Sequence, residues 1–302
     1  MNSPLHGLLP AACGALALLA GLAFGQQDPG QAEGPPPIAI QPITLDVLLV
    51  KGGLGANSGL IVGGREIIAV DAKMSPESIQ AMLAEIKKTI PFPVTRIILT
   101  HSDGDHINGL PGFPKGIPII SQEQTRADMV KAAAEMPALA DYLPTQVFKD
   151  EMKITSGRQS IILRHFGPAH TSGDTVVFVD SVRIAFVGDL VFVGRDPIIH
   201  RAKGGSTTGL LKTLRALLDH RPHVDDFIPG HGDLVTRAEV ENLIRSIEMT
   251  RAKVRTFVGE GKTLEEIKKL LQVDTRPSSA GPRFPSLAEV IYQELTEAKD
   301  KK

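Results

Sequence analysis

Hydrophobic and polar positions change period several times along this chain, and the changes mark its elements. The runs "ITLDVLLV" (43–50) and "SGLIVGGREIIAVDA" (58–72) are rich in β-branched residues and predict strands, the second broken by a hairpin turn at Gly63-Gly64. The next segment, "SPESIQAMLAEIKKTI" (75–90), predicts a helix. Ser75 is a cap, Pro76 suits the first helical position, and Ile79, Met82, Leu83 and Ile86 recur at helical spacing. "RIILT" (96–100) is continuously apolar, the mark of a short strand buried on both faces. A helix is expected over 122–135, ending before Pro137. Three strand-like runs follow at 160–166, 174–180 and 183–189, then a helix at 208–220 and a short strand with its loop at 225–233. A long helix over 236–261 and two shorter ones around 263–271 and 286–298 complete the pattern. Strands in each half, each set followed by helices, predict an α/β chain with two sheets face to face and helices outside. There is no short-period internal repeat, and one domain from residue 41 to 302 accounts for the pattern.

What precedes that domain has a different texture. An apolar run from Ala11 to Phe24 turns abruptly polar, which is shorter than the roughly 20 residues of a membrane span and suits a signal-peptide core. Ala23 and Gly25 bracket Phe24 in a small-x-small pattern, so residues 1–25 are expected to be removed on export to the periplasm or medium, although the first ten residues carry no Lys or Arg. No stable membrane span is expected after processing. Residues 26–40, "QQDPGQAEGPPPIAI", form a Pro/Gly/Gln-rich linker.

Composition narrows the chemistry. A formal charge of -1 over 302 residues shows no basic excess for nucleic acid, and the absence of Trp argues against a base-stacking surface. The single Cys13 lies in the segment expected to be removed, so any metal site in the mature chain must be built from His and carboxylates. Composition says nothing about the oligomeric state.

Four of the nine histidines fall where strands meet turns. His101 follows "RIILT", His106 lies in the turn beyond it, His170 precedes "TVVFVD", and His231 follows "DDFI" in "IPGHGD"; Asp189 ends "RIAFVGD" in the same way. Any one of these is ordinary, but their repetition is what a site at one rim of a sandwich requires. The stretch "HSDGDH" (101–106) adds Asp103 and Asp105. In extended chain, positions 101, 103 and 105 project together and 106 projects away, so a turn there aims 101 and 103 at one cation and 105 and 106 at a second. Two cations would also offset the repulsion between the two carboxylates.

"THSDGDH", "GPAHTSGDT", "VGDL" and "PGHGD", in that order, resemble the metallo-β-lactamase superfamily over about residues 43–245. The resemblance implies a four-layer αββα sandwich of two mixed sheets with one or two metal ions, usually zinc, at the rim. By position, His101, Asp103 and His170 would form the first site and Asp105, His106 and His231 the second, with Asp189 bridging. Asp103 departs from the common H-x-H-x-D-H pattern, because this chain reads H-S-D-G-D-H. A carboxylate there makes the first site about one unit more negative, weakens the metal as a Lewis acid, and makes Mn²⁺ or Fe²⁺ more competitive with Zn²⁺. An intact dinuclear site is expected ahead of one that has lost a metal.

The implied activity is metal-dependent hydrolysis of a small molecule, an ester, lactone or amide with a β-lactam among the candidates. A metal-bridging hydroxide would be the nucleophile, and Asp105 the catalytic group that orients it or accepts its proton. The competing expectation is a metal- or ligand-binding family member without turnover. Toward substrate, "VGRDPIIHRAKGGS" (193–206) offers His200 and Lys203 either as a clamp or as a solvated loop. Asn57 in "KGGLGANSG" either touches substrate or serves its turn.

Overall fold

The computed structural model describes residues 34–273 and 284–300. The apolar run and the expected cleavage point lie outside the described residues. Among the described residues, no helix is long and apolar enough to cross a membrane.

Two mixed sheets carry the architecture. The first contains, in chain order, β1 (Ala39–Pro42), β2 (Val47–Lys51), β3 (Ser58–Gly63), β4 (Glu66–Val70), β5 (Val94–Ile98), β6 (Ile119–Gln122) and β7 (Gln146–Phe148). Strands β1 to β4 pair antiparallel, and β4 to β7 pair parallel. The second sheet contains β8 (Glu151–Ser156), β9 (Gln159–Arg164), β10 (Val176–Val179), β11 (Ile184–Gly188), β12 (Asp226–Pro229) and β13 (Val235–Thr236), in the order β13-β12-β11-β10-β9-β8. Only β11 and β12 are parallel in it. The helices are α1 (Pro76–Thr89), α2 (Gly104–Ile107), α3 (Glu123–Glu135), α4 (Thr207–Asp219), α5 (Arg237–Gly259), α6 (Leu264–Leu270) and α7 (Leu287–Asp300).

Alternation along the strands builds the four layers. In β2, Val47 and Leu49 enter a core shared with Ile161, Val177 and Ile228 of the second sheet, whereas Leu48 and Val50 join Ile79 and Met82 of α1 in a separate core. In β10, Val177 and Val179 face the first sheet, while Val176 and Phe178 pack with Leu214 of α4 and Ile247 of α5. Each buried aliphatic side chain contributes roughly 1.5–3 kcal/mol, and slipping a strand by one residue exchanges its two faces, so the pattern pins the register. The result is the αββα sandwich expected from the sequence.

The structure adds elements that the pattern did not reveal. The linker ends early, because Ala39 and Ile40 already pair with Lys51 and Val50. β6 and β7 have four and three residues, too few to show a period, and they line up only because parallel neighbours extend the sheet. β8, "EMKITS", alternates correctly, but it is a charged edge strand whose apolar residues are only half-buried. β2 starts at Val47 rather than residue 43, because Thr44 Oγ1 accepts from the backbone of Asp46 and Val47 and turns the chain there. The hairpin turn is Gly64-Arg65, with Gly63 paired to Glu66 and Gly64 at φ 62°. The largest local difference is at 104–107, which is one turn of helix rather than extended chain.

Candidate metal centre

The site is built at one rim because of strand direction. Asp71 and His101 follow the parallel strands β4 and β5, and Asp189 and His231 follow the parallel strands β11 and β12. His170 precedes β10, which runs antiparallel to β11, so its loop arrives at the same end. A backbone bond from Thr175 N to Thr100 O (2.7 Å) joins the loops of the two sheets, and Gly230 N donates to Gly188 O (2.8 Å). Asp103 caps α2 with an extended backbone, and Asp105 and His106 sit in its first turn. The helical turn therefore carries out what extended alternation was expected to do.

Hydrogen bonds orient three imidazoles. Asp71 Oδ1 accepts from Thr100 N (2.8 Å), and Asp71 Oδ2 accepts from Thr100 Oγ1 (2.7 Å) and from His106 Nδ1 (2.8 Å). Since the Thr100 hydroxyl proton is directed at Asp71, Thr100 Oγ1 accepts from His101 Nδ1 at 3.0 Å. His170 Nδ1 donates to Ile198 O at 2.9 Å. Each ring thereby turns its Nε2 inward, the arrangement that metal-ligating histidines use, and in the metal-free chain His170 Nε2 meets Asp103 Oδ2 at 3.0 Å. Thr171 N and Oγ1 both donate to the buried Asp174, which braces the His170 loop.

The fit to metal is tested by atoms that nothing else satisfies. His101 Nε2 is buried without a partner, and His106 Nε2 and Asp189 Oδ1, 3.2 Å apart, are buried with no well-directed hydrogen bond, a costly state for polar atoms in a protein interior. His101, His170 and Asp189 offer ligand atoms within 4.8 Å of one another, and so do Asp105, His106 and His231. Asp189 stands between the groups, with Oδ1 3.2 Å from His106 Nε2 and Oδ2 3.5 Å from His231 Nε2. A Cβ on Gly230 would fall 2.2 Å from Asp189 Oδ1 and 2.7 Å from the His106 ring, so a glycine keeps this space clear. The donor set is imidazole and carboxylate, suited to divalent ions of the zinc, manganese and iron kind.

Charges in the cluster are strongly coupled. Burial works against the charged form of His170, but Asp103 and Asp189 outweigh it and raise its pKa to about 9. Hydrogen bonds to Asp105 and Asp189 raise His231 to about 9 as well. Burial favours the neutral acid at Asp103, Asp105 and Asp189, yet the surrounding imidazoles hold all three below the usual carboxylate range. Burial and the charges of His106 and His170 push His101 well down. For His106, burial opposes the charge, but Asp71 and Asp189 raise it. Acidic groups thus hold protons on the imidazoles where a cation would otherwise sit.

Asp103 and the three residues expected toward substrate have different surroundings from those anticipated. Asp103 adjoins the first group, with Oδ2 3.0 Å from His170 Nε2 and 3.8 Å from His101 Nε2. His200 Nδ1 lies 3.1 Å from Asp103 Oδ1, and Lys203 Nζ donates to the same oxygen at 2.8 Å, so both face Asp103. The Asn57 amide donates to Pro229 O (3.1 Å) and Gly232 O (3.0 Å), and its backbone N to Gly230 O (2.7 Å), which pins the His231 loop. His220, away from this cluster, pairs with Asp180 at 2.9 Å and stacks on Phe178. Asp71 escaped the sequence reading; its signal was an acid closing the apolar run "EIIAV", as Asp189 closes "RIAFVG".

An αββα sandwich whose rim gathers two adjoining His/Asp groups defines the class, a fold with a candidate two-metal centre. The model of the metallo-beta-lactamase superfamily matches residues 52–277, and the chain belongs to that superfamily. The 2,4-dinitroanisole O-demethylase subunit alpha of Nocardioides sp. (strain JS1661) is 26% identical over 213 residues, 69% of this chain and 62% of that protein. The chain therefore spans less than two thirds of that relative's length. The solved metallo-beta-lactamase from Pontibacter korlensis superposes with a TM-score of 0.59 at 18% identity, covering 69% of this chain and 99% of its own, a likeness of fold.

Proposed function

We propose that this chain is an exported metal-dependent hydrolase that cleaves a small, largely apolar ester, lactone or amide, with a β-lactam among the candidates. The observation that carries the reading is the set of buried ligand atoms on His101, His106 and Asp189 that make no well-directed hydrogen bond, where the two His/Asp groups adjoin. His101, Asp103, His170 and Asp189 would hold one ion and Asp105, His106, His231 and Asp189 the other, with zinc the leading candidate. The chemistry that bound divalent ions supply is the acidification of water and the polarisation of a carbonyl or related electrophile. Asp105 is the catalytic carboxylate. It is held ionised by His231 and His106 and is partly open to solvent, so it can orient the attacking water and accept its proton.

Apolar groups around the rim support an uncharged substrate. Leu54 (44% exposed) and Met74 (46%) are joined by a backbone bond next to the Ala56 N–H that meets Asp105 O. Phe192 stacks on His231, and Phe284 (43% exposed) lies edge-on to His200 beside a cavity of about 390 Å³. Such a rim suits an aryl or alkyl acyl compound better than a phosphodiester. The relative named for O-demethylation of 2,4-dinitroanisole adds aryl methyl ethers to the candidates. Export rests on the apolar run at 11–24, and a cell-fractionation blot of the full chain tests it.

The activity test is a panel of chromogenic β-lactam, lactone, aryl ester, aryl methyl ether and phosphodiester substrates, each assayed with Zn²⁺, Mn²⁺ and Fe²⁺. Chelator-sensitive turnover of an ester, lactone, amide or ether is expected, with loss of both metal and turnover in Asp189→Ala. A panel with no chelator-sensitive turnover refutes the hydrolase reading.

A further inference from the structure

The carboxylate of Asp103 is held from two sides. Its Oδ2 faces the Nε2 atoms of His170 (3.0 Å) and His101 (3.8 Å), inside the candidate centre. Its Oδ1 receives Lys203 Nζ (2.8 Å), and His200 Nδ1 lies across both carboxylate oxygens, 3.1 Å from Oδ1 and 3.2 Å from Oδ2. Lys203 is itself fixed, because its ammonium also donates to Ser102 O (2.8 Å) and Ser102 Oγ (3.3 Å). With these three acceptors its donors are fully engaged, which leaves none for a substrate carboxylate.

The segment that carries Lys203 and His200 is bonded to the segment that carries His170. His200 N donates to His170 O (2.8 Å), Ser172 N to Lys203 O (2.8 Å), and Ser206 N to Ala169 O (2.8 Å). Arg201 reaches Glu297 of α7 at 2.8 Å, which anchors the far side of the segment. His170, Lys203, His200 and Asp103 are therefore held in fixed relation by backbone bonds as well as by charge.

We propose that Lys203 and His200 are positioning residues for Asp103: Lys203 holds Oδ1 and His200 braces the carboxylate across both oxygens so that Oδ2 is presented to the first metal position, and the Lys203 ammonium offsets the negative charge that a carboxylate brings there. Two neutral imidazoles, one carboxylate and one ammonium sum to the charge of an all-imidazole set. The pair thus restores the electrostatics that replacing histidine by Asp103 would alter, and a Lys203-bound carboxylate is a weaker, less anionic donor than a free one. The inference rests on the metal-centre reading above.

Equilibrium dialysis against mixed Zn²⁺ and Mn²⁺, followed by metal analysis, tests it without an activity assay. Removing the ammonium in Lys203→Met returns full anionic character to Asp103 and is expected to shift the bound Zn:Mn ratio toward Mn²⁺ by about tenfold, the scale of outer-partner effects on metal sites. Lys203→Arg is expected to keep the wild-type ratio. In an Asp103→Asn background, which carries no carboxylate charge, Lys203→Met is expected to change the ratio less than about twofold. A wild-type ratio in Lys203→Met, or an equal shift in the Asp103→Asn background, overturns the proposal. A thermal melt establishes that each variant folds, and Lys203→Gln serves as the charge-removing variant if Lys203→Met does not. A wild-type protein that takes up neither ion would instead refute the metal-centre reading itself.

Discussion

His101, His106 and His170 each have Nδ1 engaged by a neighbour, so the ring orientation that turns Nε2 inward is built in before any ion arrives. Asp71 sets two of these rings, directly for His106 and through Thr100 for His101. Asp71→Ala is therefore expected to weaken metal binding about 10- to 100-fold, measured by competition with a chromophoric chelator, even though Asp71 is assigned to neither metal position. Gly230→Ala acts by volume rather than charge, because its Cβ would meet Asp189 Oδ1 at 2.2 Å. That variant is expected to lose at least one equivalent of metal by elemental analysis while keeping a cooperative melt. Asn57, whose amide and backbone hold the His231 loop, is expected to affect metal retention when changed to Ala more than it affects KM for any substrate.

The elements deliver these residues because parallel strands end at the same rim. β4 and β5 carry Asp71 and His101 there, β11 and β12 carry Asp189 and His231, and the one-turn helix α2 brings Asp105 and His106 off one short segment. The outer helices hold the sheets and can be perturbed without touching the site. Thr236 and Glu239 form a reciprocal capping box at the start of α5, and Thr236→Ala is expected to cost about 1 kcal/mol in urea unfolding with an unchanged slope and unchanged metal content. Loss of metal in that variant would mean that α5 supports the rim rather than only the outer layer.

For the whole molecule, the concentration of charge at one rim ties stability to pH and to metal. His170 and His231 have folded pKa values raised from 6.5 to about 9, so in the metal-free protein their contribution to stability is fully present below 6.5 and is lost as pH rises through about 9. The melting temperature of the metal-free protein is expected to fall between pH 6.5 and 9. Metal uptake at pH 7 is expected to release protons, which calorimetry in buffers of different ionisation enthalpy measures directly. A flat melting temperature across that window would contradict the assigned proton positions.

Residue periodicity by itself determined the two sheets and the helices around them, because burial on alternate sides of a strand or along one stripe of a helix leaves a repeat in the chain. It also placed His101, His106, His170, Asp189 and His231 at strand ends, where a rim site collects its groups. The short strands β1, β6 and β7 left no such repeat, and β8 alternates but is a charged edge strand, so all four emerged only from their pairing with neighbours. The surroundings of Asp103 were equally out of reach. Its partners His200 and Lys203 lie about a hundred residues away in sequence, and only the packing of their segment against the His170 loop brings an ammonium onto that carboxylate. Local sequence encodes which face a side chain takes, whereas the charge that meets it across the fold is decided by tertiary contacts alone.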